Sequence, residues 1–151
     1  MSVELDQKQR REMLQARVRH SRAITAELLA RVATEVCTRF SAHGNAAKER
    51  LNQLVACGAW TDAVLLLLQL ELPLWKLRRI LYEEGGWHCF LSQQPWFPLE
   101  FDEGAEATHE LLPLAILLAF IEARSAVGSA AASAPQANAT PSCTVCCENL
   151  L

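Results

Sequence analysis

The sequence predicts an α+β domain, mostly helical, with one β-hairpin over about residues 74–93 packed on three to four helices. Three observations carry this prediction. Ile24, Leu28, Val32, Val36 and Phe40 recur every four residues, with Leu29 and Ala33 beside them, so an apolar stripe runs along one helix face. The run AVLLLLQLE, residues 63–71, is apolar almost all round, as a buried helix is. In EEGGWHCFLS, residues 83–92, two acids and two glycines lead into an aromatic stretch suited to a strand.

In chain order, residues 1–20 read as a basic, partly frayed arm, in which the apolar stripe thins to Leu14 and Val18. Between positions 7 and 22, Lys8, Arg10, Arg11, Arg17, Arg19 and Arg22 stand against one acid, Glu12. Residues 21–42 read as the helix that docks, ended at His43-Gly44-Asn45 because glycine and asparagine tolerate a left-handed cap. A short helix over 46–57 turns Leu51, Leu54 and Val55 inward and closes at Gly58. Thr61 or Asp62 caps the next helix, and Pro73 separates it from the segment 74–94.

Residues 74–94 admit two readings. As a helix, Leu74, Leu77, Ile80 and Leu81 form a stripe and Gly85 is its cap. As a hairpin, which the WHCF run favours, Glu84-Gly85 is the two-residue loop. Tyr82 then opposes Trp87, Ile80 opposes Cys89 and Arg78 opposes Leu91. PWFPLEFDEGAE, 95–106, reads as a loop whose acids Glu100, Asp102, Glu103 and Glu106, with Glu110, are solvated. Thr108 can cap a last helix over about 109–126. The remaining Ala/Ser/Pro-rich segment reads as a flexible linker to the tail CTVCCENLL. The organisation expected is therefore an arm over 1–20, a single globular domain over 21–124, and a linker with a cysteine-containing tail over 125–151.

A chain of 151 residues that is 51% hydrophobic has ample material for one core. The net charge of -3 is small, but its distribution is uneven. Residues 1–50 hold ten Lys/Arg against six Asp/Glu, and residues 51–151 hold four against eleven. The start carries no apolar segment of the secretory kind, and LLPLAILLAFI, 111–121, falls short of the roughly 20 apolar residues that span a bilayer. A cytoplasmic protein with reduced thiols and no membrane contact is the expectation.

GAWTDAVLLLLQLELPLWKLRRILYEEGGWHCFLS, followed by HELLPLAILLAFIEAR, resembles a group of small bacterial hypothetical proteins. In these a WKLRR segment, an acid-and-glycine turn and a WHC run precede a short acidic loop and a final helix. The resemblance covers about 58–124 and implies no activity.

Each candidate site has a plainer reading beside it. His88 and Cys89 are adjacent, so on a strand they point to opposite faces and the histidine cannot activate the thiol. Cys143, Cys146 and Cys147 form C-x-x-C-C, which can bind metal or cycle as a disulfide, yet supplies three of the four ligands that a closed zinc site needs. The basic arm could meet phosphates, but it lacks interleaved aromatics, and the neighbouring helix 63–71 has no cation to read a groove; nucleic acid is disfavoured. No phosphate-cradling glycine motif or nucleophile elbow occurs, so no cofactor is expected. Trp75, Trp87, Phe90, Trp96 and Phe97 crowd one span, and a small hairpin cannot bury two apolar faces by itself. The reading that results is a non-enzymatic interaction or regulatory protein. Its contacts with a protein partner or a second copy run through those aromatics and through Arg10, Arg11, Arg17 and Arg19. A metal or thiol-redox module is the alternative, and nucleic-acid binding the third.

Overall fold

A computed structural model describes residues 2–132. Five α-helices surround a three-stranded antiparallel sheet, so the α+β class holds. The helices are α1 (Ser2–His20), α2 (Ala26–Glu35), α3 (Gly44–Ala56), α4 (Trp60–Glu71) and α5 (Leu112–Ala132). The strands are β1 (Lys76–Glu83), β2 (Gly86–Ser92) and β3 (Ala105–His109), in the order β1-β2-β3.

The hairpin forms as its turn residues dictate. Glu84 and Gly85 take φ of 54° and 79°, the two positive values that a type I′ turn needs to match the twist of the flanking strands. Tyr82 pairs with Trp87 and Ile80 with Cys89, as expected. The expected pairing of Arg78 with Leu91 does not occur. The register slips between Leu77 and Arg79, Leu77 faces Leu91, and Arg78 is bulged out of the ladder. The reason is a tertiary contact: the Arg78 guanidinium turns to the Asp102 carboxylate and the Phe97 carbonyl.

A third strand stands where the sequence suggested only loop and helix cap. Ala105 and Ala107 pair with Leu91 and Cys89, and their small side chains let α5 lie close over the sheet. Gly104 prepares that pairing. A Cβ there would stand 2.3 Å from the Leu91 carbonyl oxygen and 2.4 Å from Phe90 Cζ, so any larger residue would push the chain off β2.

α5 is the centre of the molecule. It packs on β2 and β3 on one side and on α1 and α4 on the other, and every residue from Leu114 to Ile121 is buried. By length and composition alone Leu112–Ala130 could cross a membrane. Here half of that stretch is buried, against the sheet and the neighbouring helices. It begins at Leu112, not 109, and the ring Nδ1 of His109, rather than Thr108, accepts the Leu111 N–H at 2.9 Å. It also runs on through the start of the segment expected to be linker. The rest of that segment and Cys143, Cys146 and Cys147 lie outside the described residues.

The amino-terminal half differs most from expectation. Residues 2–20 are a regular helix rather than a frayed arm, since Leu14 and Val18 are buried and Gln15 donates to Glu122 of α5 at 3.0 Å. The stripe from Ile24 to Phe40 is not one helix. α2 starts after the Thr25 cap, whose hydroxyl accepts the Leu28 N–H, and stops at Glu35. Phe40–His43 is a 3₁₀ turn and Gly44 begins α3. Similarly α4 starts at Trp60 with no side-chain cap, so neither Thr61 nor Asp62 plays that part.

Glu71 explains the break after α2. Its carboxylate is buried at the end of α4 and accepts the N–H groups of Thr38, Arg39 and Phe40 at 2.9, 2.7 and 3.2 Å. It also accepts the Thr38 hydroxyl at 3.1 Å. These amides would otherwise need carbonyl partners in a continued helix. Arg124 of α5 completes the cluster: its Nε lies 3.2 Å from Glu71 Oε1 and its Nη2 donates to the Thr38 hydroxyl at 3.2 Å. The Nε–H itself is not aimed at an acceptor, so the attraction there is Coulombic.

Candidate interaction surface

The surface is built on β1 and the segment after β2. β1 is an edge strand, and α5 covers β2 and β3 rather than β1. The consequence shows on one sheet face. Cys89 and Leu91 are fully buried beneath α5, whereas Ile80, opposite Cys89, is 42% exposed and Tyr82, opposite Trp87, is 58% exposed. The Tyr82 and Trp87 rings lie 5.0 Å apart in a tilted pair.

Next to β1 lies the loop from Gln93 to Gly104. It presents Trp96 and Phe101 at 78% and 69% exposure, with Phe97 and Leu99 also exposed. This loop is tied down. The side chain of Asp102 is 3% exposed and that of Arg78 17%, and the same guanidinium holds the Phe97 carbonyl. A hydrogen bond from Ser92, with the Arg78 bond and charge, holds the Asp102 carboxyl below its usual range. Asp102 is therefore not the solvated loop acid that the sequence suggested. Gln94 N–H donates to the Ser92 hydroxyl at 2.9 Å, which fixes the loop's start.

The expected contact residues fall into separate places. Trp75 is buried, which removes it from the partner face. Trp87 and Phe90 are half-buried, and Phe90 closes over Gly104. Trp96 and Phe97 belong to the exposed loop. Arg10, Arg17 and Arg19 are exposed along α1 and Arg11 is half-buried. Arg10 pairs with Asp6, Lys8 lies 3.9 Å from Glu12 and Arg17 lies 4.0 Å from Glu27, so acids of the chain itself answer part of the helix's positive charge. The expected contact set left out Ile80, Tyr82 and Phe101, although the hairpin pairing already set Ile80 and Tyr82 opposite Cys89 and Trp87 and Phe101 is an aromatic of the same span; the contact between Arg78 and Asp102 had no signal in the sequence.

The thiol chemistry divides in the same way. His88 points to the outer face, where Nδ1 lies 3.0 Å from the Thr108 hydroxyl, and Cys89 points under α5. Burial pushes the Cys89 thiol up to about 11. It pushes Cys37 up to about 12, helped by the Glu71 charge and opposed by Arg124. Thiolates are the reacting species, so neither thiol should react at neutral pH, whereas exposed Cys57 should. Alkylation of native protein followed by peptide mass mapping should modify Cys57 and spare Cys37 and Cys89 until denaturant is added. Rapid native labelling of Cys89 would show that α5 does not seal the sheet. No group of three or more His, Cys, Asp or Glu is placed to hold a metal ion among the described residues.

A cavity of about 240 Å³ lies beside the Glu71 cluster, bordered by Thr38, Arg39, Leu74, Trp75 and Arg124. The indole N–H of Trp75 is buried without an acceptor. Both Glu71 oxygens are already engaged by donors of the chain, so this region reads as a joint between α4, α5 and the 3₁₀ turn.

No family model, curated protein or solved structure matches the chain. The resemblance over 58–124 to small bacterial hypothetical proteins gains no support from these comparisons, and no function arrives by that route.

Proposed function

We propose that the chain is a non-enzymatic protein-interaction or regulatory module whose contact surface is the free half of β1 and the Gln93–Gly104 loop. The observation that carries this reading is the pinned display of Trp96 and Phe101. The part-buried Arg78–Asp102 ion pair, with the Arg78 hold on the Phe97 carbonyl, anchors the backbone of a loop that carries two exposed aromatic rings, more than a simple connection between strands requires. Aromatic groups held in a fixed geometry lose little conformational entropy on binding, which is why they dominate protein contacts. Exposed Ile80 and Tyr82 extend the apolar character along the neighbouring strand. His88 and Cys89 lie on opposite faces of β2, so the histidine does not sit beside that thiol as a base.

A photo-crosslinking residue in place of Trp96, compared with the same residue in place of exposed Ala30 on α2, tests the reading in cells. The expected result is a discrete crosslinked product from position 96, mapped to one peptide of one protein, and none from position 30. Identical products from both positions, or none from either, would overturn it.

A further inference from the structure

We infer that the free half of β1 pairs with β1 of a second copy of this chain, antiparallel and about a two-fold axis through Leu81. This rests on the proposed interaction reading and names the partner. An edge strand offers unpaired N–H and C=O groups, and proteins protect such edges with bulges and charges. The bulge interrupts the first half of β1 only. Lys76, Arg78 and the bulge between Leu77 and Arg79 disrupt that half, which leaves 79–83 as a regular, open ladder of which Leu81 is the centre.

The side chains on that window complement themselves. Arg79, Leu81 and Glu83 lie on the outer face, and Ile80 and Tyr82 lie on the face that continues to Cys89 and Trp87. An axis through Leu81 places Arg79 opposite Glu83 of the second copy, twice over. It places Ile80 opposite Tyr82, also twice, and Leu81 opposite itself. Arg79 and Glu83 are exposed and have no ion-pair partner among the described residues.

Neighbouring registers fail. An axis through Ile80 sets Arg79 against Leu81, and an axis through Tyr82 sets Glu83 against Leu81. An axis through Arg79 opposes that cation to itself, which is destabilising. Charge and apolar pattern therefore select one register, and the partner is isologous, the same strand on both sides. A strand window this short buries an area at the low end for stable complexes, so the association depends on concentration.

Sedimentation velocity of the full chain over a wide concentration range tests the inference. The wild type should pass from one-chain to two-chain mass as concentration rises. Arg79→Glu and Glu83→Arg should each weaken association about tenfold or more, because each sets like charges opposite one another at two places. The double exchange of both residues recreates the complement and should restore the wild-type association. Both positions are exposed, and unchanged circular dichroism and melting should show that every variant folds.

A wild type that stays at one-chain mass would overturn the second copy as partner. So would association that ignores the single reversals or is not restored by the double exchange. A one-chain wild type with a discrete crosslink at position 96 to a different protein removes this pairing and leaves the interaction reading standing. A charge-dependent dimer with no crosslink specific to position 96 does the reverse for the aromatic loop.

Discussion

Glu71→Ala should lower the unfolding free energy by about 3–5 kcal/mol, because removing one partner of a buried charge cluster leaves the others unpaired. Glu71 is 2% exposed and serves four donors on Thr38, Arg39 and Phe40 besides the Arg124 charge. Without the carboxylate, three backbone amides lose their acceptor, and each buried amide left so costs about 1–3 kcal/mol. Arg124→Ala should be milder. The Glu71 oxygens would keep their amide donors, and the Arg124 side chain is 21% exposed, so water already shares its solvation. Urea unfolding followed by tryptophan fluorescence gives both values. A Glu71→Ala loss below that of Arg124→Ala would show that the amides, not the ion pair, have other partners, and would refute a joint built on the carboxylate.

Leu91→Ala and Ile80→Ala should differ sharply although both residues belong to the sheet face that α5 approaches. Leu91 is fully buried between Leu77 and Ala105, beneath α5. Its truncation removes buried methyl groups and leaves a cavity, a loss of about 2–5 kcal/mol. Ile80 is 42% exposed, and its truncation should remain within about 1 kcal/mol, since water already wets much of the side chain. Thermal melts at low protein concentration compare them without interference from association. Equal losses would mean that α5 or another element covers β1 after all, and the open edge would be lost with it. At high concentration Ile80→Ala should also weaken pairing, because Ile80 meets Tyr82 of the second copy.

Much of the hairpin was legible in the sequence. The Glu84-Gly85 turn and the WHCF run favoured a hairpin over the helix that 74–84 also allowed, and alternation along that strand then put His88 and Cys89 on opposite faces. The buried character of α4 was equally plain, because a helix apolar all round has no face to give to water. β3 was not legible. AEATH is a short run of small and polar residues, and it becomes a strand because Gly104 lets the chain approach Leu91 and Phe90. The display of Trp96 and Phe101 depends on Asp102 reaching Arg78, a contact between residues 24 apart in the chain.

The sequence by itself determined what short-range physics can decide: which segments turn, which faces are apolar, and which hairpin residues share a side between the bulge and the turn. It also determined the split of positive and negative charge between the two parts of the chain. Tertiary structure alone decided where the helix stripe from Ile24 to Phe40 breaks, because Glu71 competes for amides that a local rule would give to helical carbonyls. It alone decided that α5 covers two strands and leaves the third half-bare. The reason is common to both. Periodicity ranks what a segment would bury, but the partner that buries it is chosen by distant residues, and a carboxylate or a helix can satisfy one neighbour only by leaving another open.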